Sequence, residues 1–413
     1  MEKFVIKGPC RVKGDVSVSG SKNAALPILA STILFDKTVE IKNLPRVKDI
    51  ETMINLLRSL GSKISFSKNK RTVKINNSKI KKTFASYNLV KTMRAGILVL
   101  GPLISKYGSA TVSMPGGCQI GVRPVNYHLS GLKKLKMNYE IKRGYVYANA
   151  KRIVGSVIKF PKISVGATEN LIMASTLASG KTILKNCAIE PEIKDLINFL
   201  KTGGAKIKWI GKRTLEIYGV KSLDSTIYSV MGDRIEAGTF CIASALTQGD
   251  LNVNGLNPKI INTEINLLKK IGAKVKTKKN QIIIKGSKKI KNLSLITTKE
   301  YPGFATDLQA QFMVLLCKAK GRSVIQENIF ENRYSHCAEL RRLGASIIVK
   351  SKKAIIYGGA DFEGAELMSS DLRASVALVL AAIASKGKSI IHRIYHLSRG
   401  YENLDKKLKK IGV

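Results

Sequence analysis

The chain repeats a unit of about 70 residues, and this period constrains its fold more than any other feature. In each copy a helix-like run ends in a glycine and is followed by a strand-like run. The glycines that end these runs are Gly61, Gly204, Gly272, Gly344 and Gly412. A sixth copy, SGLKKLKMNYEI, lacks the glycine near Met137. A fixed period of this kind indicates a repeated supersecondary unit.

Each repeat has the same internal order of elements. It opens with a helix of small apolar residues, such as NAALPILASTIL, TENLIMASTLAS, EAGTFCIASALTQ, LQAQFMVLLCKA or LRASVALVLAAIA. A strand, an amphipathic helix such as 48–60, a C-capping glycine and a β-rich pair follow. Helices almost free of charge must be buried all round. We therefore predict an α/β fold of two lobes, each with three repeats, with helices inside, sheets outside and a ligand cleft between the lobes.

The ends of the chain indicate how the lobes are divided. The sixth repeat stops at Gly412-Val413 without its strand, so the N-terminal strand 3–7 is expected to complete the last sheet. The first lobe is then an insertion in the second, and the chain crosses twice, near Gly20 and near Gly232. The predicted domains are 22–231 for the N-terminal lobe and 1–21 plus 232–413 for the C-terminal lobe.

Composition excludes several classes of protein. The small apolar run from Ala374 to Ser385 is too short to span a bilayer, and the N-terminus has no apolar signal core. We expect a cytoplasmic protein with no membrane partner. The six cysteines show no C-x-x-C spacing, which argues against zinc or a disulfide framework. Cys187, Cys241 and Cys317 have apolar neighbours and are expected to be inert core thiols.

The charge leaves one alternative open. There are 71 basic and 28 acidic residues, a net charge of +43, which by itself favours a nucleic-acid-binding repeat protein. However, only 17 of the basic residues are Arg, the lysines are spread along the whole chain, and aromatic residues make up only 6%. Lys, Ile and Asn share A/T-rich codons, so genome composition also explains this surplus. Such a field would still attract small anionic substrates.

One glycine-rich stretch carries a thiol. The sequence PGGCQIGVRP at 115–124 places Cys118 five residues before Arg123. A nearby cation lowers the pKa of a thiol and makes the cysteine a useful acid or nucleophile. The alternative is a glycine-rich turn with an incidental cysteine.

From Lys3 to Gly412 the chain resembles the enolpyruvyl transferases. The resemblance is carried by SGSKNAALPILA, LVKTMRAGILVLGPL, MPGGCQIGVRPVNYHLSGL, KISVGATEN, DRIEAGTF, FATDLQAQF, IFENRY, SSDLRAS and HRIYHLSRGYE. It implies the two-lobe "inside-out" barrel of that family. It also implies transfer of the enolpyruvyl group of phosphoenolpyruvate to the 3'-hydroxyl of UDP-N-acetylglucosamine, without metal or organic cofactor, as the first committed step of peptidoglycan synthesis.

The resemblance assigns roles to charged residues. Phosphoenolpyruvate carries a phosphate and a carboxylate, which Arg binds bidentately and Lys as a point charge. The implied ligands for it are Lys22, Asn23, Arg123, Arg333, Arg373 and Arg399. Cys118 is the implied acid at C3 and the site of a covalent pyruvate adduct, open to epoxide inhibitors of the fosfomycin kind.

Asp307 is the implied base for the 3'-hydroxyl, with a helix N-cap as the alternative, because it precedes LQAQF. Asp371 and Arg373 have the same arrangement in SSDLRAS. Asp233 and Glu236 are interpreted as structural or hinge residues.

The nucleotide contacts are also implied by the resemblance. They are Arg94, Arg123, Pro124, Val125, Asn126, Tyr127, His128, Lys162, Ser164, Val165, Gly166, Asp307, Ile329 and Phe330. The family commonly has Asp-Leu where this chain has Asn126-Tyr127. Asn still bonds a uracil edge but lacks the acceptor charge. His128 alone is more typical of a structural histidine.

Two alternatives to this function remain. The sister reaction on shikimate 3-phosphate shares the fold and the cations, but the Cys118 loop and the Arg123-Pro124-Val125 segment argue against it. A nucleic-acid-binding protein would bind DNA tightly with a steep salt dependence. We expect the carboxyvinyl transfer, by a monomer with no specific nucleic-acid partner.

Overall fold

The computed structural model describes residues 3–91, 93–115 and 125–413. The α-helices are α1 Lys22–Ser31, α2 Lys48–Leu60, α3 Tyr87–Val90, α4 Leu100–Tyr107, α5 Asn126–Lys134, α6 Val165–Thr176, α7 Pro191–Thr202, α8 Arg234–Leu246, α9 Asn262–Lys270, α10 Gln309–Lys318, α11 Cys337–Arg342, α12 Leu372–Ile383 and α13 Leu404–Lys410. Short 3-10 helices cover Thr32–Leu34, Arg94–Val99, Pro258–Ile261, Thr306–Leu308 and Ile394–Arg399.

The strands alternate with these helices along the chain. They are β1 Phe4–Gly8, β2 Lys13–Ser17, β3 Val39–Lys42, β4 Lys63–Phe66, β5 Val73–Asn76, β6 Phe84–Ala85, β7 Ser109–Ser113, β8 Asn138–Lys142, β9 Tyr145–Asn149, β10 Val157–Lys159, β11 Lys181–Lys185, β12 Lys206–Gly211, β13 Thr214–Tyr218, β14 Thr226–Ser229, β15 Asp250–Asn254, β16 Lys274–Lys278, β17 Gln281–Lys285, β18 Ile296–Thr297, β19 Arg322–Gln326, β20 Ser346–Lys350, β21 Lys353–Tyr357, β22 Glu366–Met368 and β23 Gly387–His392.

The chain forms two compact units, each with its own hydrophobic core. Among the described residues, one unit contains 3–19 and 232–413, and the other contains 20–115 and 125–231. The chain passes from one unit to the other at Gly20 and at Gly232. A Cβ on Gly20 would lie 1.8 Å from the carbonyl oxygen of Asn43, and one on Gly232 would lie 2.0 Å from that of Gly255. Both passages therefore require glycine.

The sheets share one strand order. One sheet has the order β6-β7-β9-β8. In it β6 runs parallel to β7, and the hairpin β8-β9 is antiparallel. The sheets β14-β3-β5-β4, β10-β11-β13-β12, β16-β17-β15-β2 and β18-β19-β21-β20 follow this plan. The strand parallel to β3 is β14, from the end of that unit, and the strand parallel to β15 is β2. In the unit 20–231 a sheet is therefore completed by a strand from the opposite end of its sequence, and in the other unit β2 and β15 pair across the insertion.

Among the described residues, the last sheet has three strands. Its order is β1-β23-β22, and β1 pairs antiparallel with β23, Phe4 opposite Ile391. The prediction that the N-terminal strand completes the last sheet is confirmed.

The helices of small apolar residues are buried as predicted. Every residue of α8, from Arg234 to Leu246, is buried. Within its unit α10 packs on both α8 and α12, and in the other unit α4 packs on α6. Small residues permit this close packing, because a Cβ on Gly238 would lie 2.4 Å from the side chain of Leu308. Strands such as β15 and β21 bury alternate residues, so their sheets turn one face towards the core.

All five predicted capping glycines have a left-handed backbone, with φ of 113° at Gly61, 101° at Gly204, 108° at Gly272, 97° at Gly344 and 94° at Gly412. In the copy without glycine, Lys136 takes this conformation, with φ of 72°. The repeat therefore imposes the same turn even where the sequence lacks the residue suited to it.

Candidate active site

Asp307 is held between two arginines. Its Oδ1 lies 2.8 Å from Nη2 of Arg333, and its Oδ2 lies 3.1 Å from Nη2 of Arg373. The arginine side chains are only 4% and 7% exposed, whereas Asp307 is 28% exposed. Pairing with two guanidinium groups fixes the orientation of this carboxylate, and it still reaches solvent. It is therefore suited to accept a proton from a bound ligand.

The two aspartates with a possible capping role behave differently. Asp371 caps α12, since its Oδ1 accepts hydrogen bonds from the backbone N–H groups of Arg373 (2.9 Å) and Ala374 (3.1 Å). Asp307 lies in the 3-10 turn before α10, whose N-cap position is occupied by Leu308, and neither helix start has a side-chain cap. The capping interpretation is therefore correct for Asp371 and wrong for Asp307.

Asp307 and Arg373 also belong to a closed network of hydrogen bonds. Arg373 Nη1 donates to the Tyr401 hydroxyl at 3.4 Å, and this hydroxyl lies 2.9 Å from that of Thr239. Gln311 Nε2 donates to Thr239 Oγ1 at 3.4 Å and to the carbonyl of Asp307 at 3.1 Å. Burial opposes the charge of Arg373, but Asp307, Tyr401 and Asp233 together outweigh it and raise the pKa of this guanidinium. The network connects α8, α10 and α12 behind the carboxylate.

Two buried glutamates, which sequence reasoning missed, hold the segment that leads into Asp307. Glu264 accepts a hydrogen bond from the N–H of Ala305 at 3.0 Å, and Glu327 accepts one from the Thr306 hydroxyl at 2.9 Å. Their only signal in the sequence is an acidic side chain beside apolar positions of a repeat.

The predicted contacts Ile329 and Phe330 are half-buried and follow β19. Their backbone N–H groups donate to Glu327 Oε1 at 2.8 and 3.1 Å. The Arg333 guanidinium lies 5.6 Å from the centre of the Phe330 ring. Arg399 is half-buried at the end of the 3-10 helix Ile394–Arg399. This unit therefore brings Asp307, Arg333, Arg373 and Phe330 together.

In the other unit Lys22 is fixed by a carboxylate. Its Nζ lies 3.0 Å from Oδ2 of Asp49, with side-chain exposures of 12% and 7%. Ser21 caps α1 by accepting a hydrogen bond from the N–H of Ala24 at 3.3 Å, which places Lys22 and the half-buried Asn23 in the first turn. Asp49 is a further residue that the sequence analysis did not single out.

His128 is neutral and has a defined tautomer. Burial, and secondly the charge of Arg94, lower its pKa to about 4. Asn170 Nδ2 lies 3.0 Å from His128 Nδ1, and Asn170 Oδ1 accepts a hydrogen bond from the N–H of Gly101 at 2.7 Å. Nδ1 is therefore an acceptor, and the proton of the imidazole is on Nε2. A Cβ on Gly166 would lie 3.4 Å from this Nε2.

The remaining nucleotide residues lie at two helix starts. Ser164 caps α6 by accepting a hydrogen bond from the N–H of Ala167 at 3.3 Å, with Val165 as its first residue and Lys162 exposed before it. Asn126 and Tyr127 begin α5, directly after the buried Val125. Because His128 lies beside Gly166, the starts of α5 and α6 are neighbours, with Arg94 close to the same imidazole.

Cys118, Arg123 and Pro124 lie outside the described residues. The predicted inert thiols are confirmed: Cys187, Cys241 and Cys317 are free and buried, and burial raises the pKa of each to about 12. Over 3–91, 93–115 and 125–413, no group of three or more His, Cys, Asp or Glu side chains could hold a metal ion. In the same ranges no helix is long and apolar enough to cross a bilayer.

Comparison with known proteins places these features in a family. Residues 6–408 match the model of the family described as EPSP synthase (3-phosphoshikimate 1-carboxyvinyltransferase). The chain belongs to this family of transferases.

Its relatives include the UDP-N-acetylglucosamine 1-carboxyvinyltransferase of Pelagibacter ubique, which is 62% identical over 100% of this chain and 99% of the relative. The enzyme of the same name from Geobacter metallireducens is 47% identical over 100% of this chain and 98% of the relative.

Solved structures confirm the α/β fold. The enolpyruvyl transferase NikO from Streptomyces tendae has a TM-score of 0.90 and 23% identity, covering 100% of this chain and 98% of its own. EPSP synthase from Acinetobacter baumannii has a TM-score of 0.77 and 18% identity at the same coverage. The predicted fold class, built from repeats with buried helices and outer sheets, is therefore confirmed.

Proposed function

We propose that this protein transfers the enolpyruvyl group of phosphoenolpyruvate to the 3'-hydroxyl of UDP-N-acetylglucosamine and releases phosphate. The observation that carries the proposal is the 62% identity, over the whole chain, to a protein named for this activity. The reaction is the first committed step of peptidoglycan synthesis, and it connects the protein to cell-wall formation, cell shape and division. We place it in the cytoplasm, as a monomer that needs no metal or organic cofactor.

The reaction proceeds by addition and elimination. The 3'-oxygen bonds to C2 of phosphoenolpyruvate, its proton passes to Asp307, and C3 gains a proton. The tetrahedral ketal then loses phosphate from C2 and a proton from C3, which restores the double bond in the enolpyruvyl ether. The partly exposed carboxylate of Asp307, fixed in orientation by Arg333 and Arg373, supports its role as the base.

The anionic substrate requires several cations. Lys22, Arg123, Arg333, Arg373 and Arg399, with the amide of Asn23, are proposed to bind the phosphate and carboxylate. Arg333 and Arg373 each use only part of their five N–H donors on Asp307, so the same groups can also bind an anion.

Cys118 is proposed to supply the proton to C3 and to form the covalent adduct with phosphoenolpyruvate. A nearby cation would stabilise its thiolate, and Arg123 follows five residues later in the sequence. Epoxides of the fosfomycin kind would alkylate the same thiol. This role rests on the motif alone, since Cys118 is outside the described residues.

We propose a set of residues that contact the sugar nucleotide. They are Arg94, Arg123, Pro124, Val125, Asn126, Tyr127, His128, Lys162, Ser164, Val165, Gly166, Asp307, Ile329 and Phe330. The Nε2–H of neutral His128 is a donor near Gly166. Residues 22–231 would then supply Cys118 and most nucleotide contacts, and residues 1–21 plus 232–413 would supply the base and the arginines.

The family model is named for a second candidate, transfer to shikimate 3-phosphate. The two candidates are distinguished by measuring phosphate release from phosphoenolpyruvate with each acceptor in turn. Release with UDP-N-acetylglucosamine supports the proposal, whereas release with shikimate 3-phosphate alone overturns it. Binding to DNA that disappears at physiological salt would reflect only the net charge of +43.

A further inference from the structure

The carboxylate of Glu327 is buried and accepts four hydrogen bonds. The residue is 1% exposed and directly follows β19. Its Oε1 accepts from the hydroxyl of Thr298 (2.9 Å) and from the N–H groups of Ile329 (2.8 Å) and Phe330 (3.1 Å). Its Oε2 accepts from the hydroxyl of Thr306 at 2.9 Å. Because each oxygen accepts at least one hydrogen bond, neither is left unsatisfied by burial.

These four bonds join two parts of the chain that the proposed function uses together. Thr306 precedes Asp307, and its carbonyl accepts a hydrogen bond from Arg333 at 3.3 Å. Ile329 and Phe330 are proposed contacts of the sugar nucleotide. The backbone N–H of Glu327 donates to the carbonyl of Lys352 at 2.8 Å, which anchors it to the segment between β20 and β21. The Glu327 carboxylate therefore lies between the proposed base, Asp307, and the Ile329–Phe330 segment, which is proposed to contact the sugar nucleotide.

We infer that Glu327 is a positioning residue that fixes Asp307 and the Ile329–Phe330 segment relative to each other. The inference rests on the proposed function, because it assigns the two connected parts to one acceptor substrate. Proton transfer by the base requires the hydroxyl to lie within hydrogen-bond reach of the carboxylate. A displacement of about 1 Å between the two parts would lower the rate about 100-fold. Glu327 acts through its hydrogen bonds and does not touch the reacting atoms.

Two substitutions distinguish positioning through hydrogen bonds from an effect of the negative charge of Glu327. In Glu327→Gln the amide oxygen can accept the three donors at Oε1, and the amide N–H can donate to the Thr306 hydroxyl, which can also accept. In Glu327→Ala all four bonds are lost. We expect Glu327→Gln to keep kcat/KM for UDP-N-acetylglucosamine within about threefold of the wild-type value, and Glu327→Ala to lose about 10-fold or more, with a raised KM.

Substitutions of Thr306 test only the hydrogen bond that connects Glu327 to the segment of Asp307. Thr306→Val removes the bond to Oε2 with little change of shape, and Thr306→Ser keeps the hydroxyl as a matched control. We expect Thr306→Val to lower kcat by about 10-fold while KM for the nucleotide stays near the wild-type value, and Thr306→Ser to behave like the wild type. The exposed Glu363→Ala serves as the control for Glu327→Ala.

The measurement is steady-state phosphate release at varied UDP-N-acetylglucosamine, well below the melting temperature of every variant. If Glu327 had only a structural role, the variants would have lower melting temperatures. Thr306→Val would then not change kcat alone, and Glu327→Ala would not raise KM. Wild-type kinetics in Thr306→Val, or equal losses in Glu327→Gln and Glu327→Ala, would overturn the inference. Absence of turnover in the wild type would instead overturn the proposed function.

Discussion

The ammonium group of Lys407 lies 2.7 Å from the hydroxyl of Ser19, which precedes it by 388 residues in the chain. Lys407 also pairs with the carboxylate of Glu236, and the other oxygen of Glu236 accepts a hydrogen bond from the N–H of Ser19 at 2.7 Å. Ser19 is followed by Gly20, and Glu236 lies in the first turn of α8, just after Gly232. The last helix therefore fixes both places at which the chain leaves or enters this unit.

This cluster predicts that Lys407→Met destabilises the protein strongly. Glu236 is 2% exposed, and burial already raises its pKa despite the opposing effect of Lys407. Loss of the ammonium group would leave a buried carboxylate unpaired, at a cost of about 3 kcal/mol. Urea unfolding at pH 7 measures the change, with the exposed Lys406→Met as control. Equal stabilities of the two variants would show that the pair contributes little.

Asp307→Asn is expected to lose activity and stability together. Removal of the charge takes away the proposed base, so kcat should fall by about 100-fold to 10,000-fold. It also leaves the buried guanidinium groups of Arg333 and Arg373 without their carboxylate partner, so the melting temperature should fall. Phosphate release and thermal unfolding report the two effects. The exposed Asp361→Asn is the control, and full activity in Asp307→Asn would exclude its role as the base.

We expect His336 to make the folded state less stable at acidic pH. It is 2% exposed, and burial and the charge of Arg333 lower its pKa to about 4, although Asp371 opposes them. The unfolded chain therefore binds this proton near pH 6.5 and the folded chain only near pH 4, so stability is lost as pH falls through that interval. Between pH 7 and pH 5 the loss should be about 2 kcal/mol.

Urea unfolding of the wild type and of His336→Gln at both pH values checks this prediction. The difference between the two proteins should shrink towards pH 5, because the variant has no group to protonate. Comparison at each pH is necessary because Asp195, whose pKa burial raises to about 6, has the opposite dependence. A difference independent of pH would contradict the prediction.

Substitutions of Cys118 separate its proposed roles. Cys118→Asp should keep turnover, because a carboxyl group can also donate a proton, and should resist epoxides because no thiol remains to be alkylated. Cys118→Ala and Cys118→Ser should lose most turnover while still binding UDP-N-acetylglucosamine. Phosphate release and calorimetric titration distinguish these outcomes. Full activity in Cys118→Ala would remove the acid role.

Lys136→Gly should stabilise the protein. Lys136 has a φ of 72°, a region that costs a residue with a Cβ about 1 to 2 kcal/mol. Glycine avoids this cost but loses more conformational entropy on folding, so we expect a net gain of about 0.5 to 1 kcal/mol. Lys134→Gly, within α5, is the control and should destabilise by about 1 kcal/mol. The melting temperatures of the two variants should therefore shift in opposite directions.

The repeat could be predicted from the sequence because its signals are local. A helix without charges must be buried, and a glycine after an amphipathic helix marks a left-handed turn, as Gly61 and Gly272 confirm. The partners of Asp307 are different. Arg333 and Arg373 follow it by 26 and 66 residues, and only the packing of β19, α10 and α12 brings them to one carboxylate.

Local sequence signals did not predict the structure correctly where the same sequence pattern occurs in two different local structures. Asp307 and Asp371 both precede a buried helix, yet only Asp371 caps one, because Asp307 lies within a 3-10 turn and Leu308 occupies the N-cap position of α10. Glu327 and Asp49 gave no signal beyond an acidic side chain in a motif. Their importance depends on donors that tertiary structure supplies, such as Thr298 and Lys22.

The pairing of β1 with β23 has a consequence for biosynthesis. A ribosome makes Phe4–Gly8 hundreds of residues before it makes Gly387–His392, the strand that Phe4–Gly8 must meet. During translation the whole inserted unit, described over 20–91, 93–115 and 125–231, is made while the first strand still has no neighbour. Until the last sheet is made, the edge of this first strand is therefore open to wrong pairings with other strands.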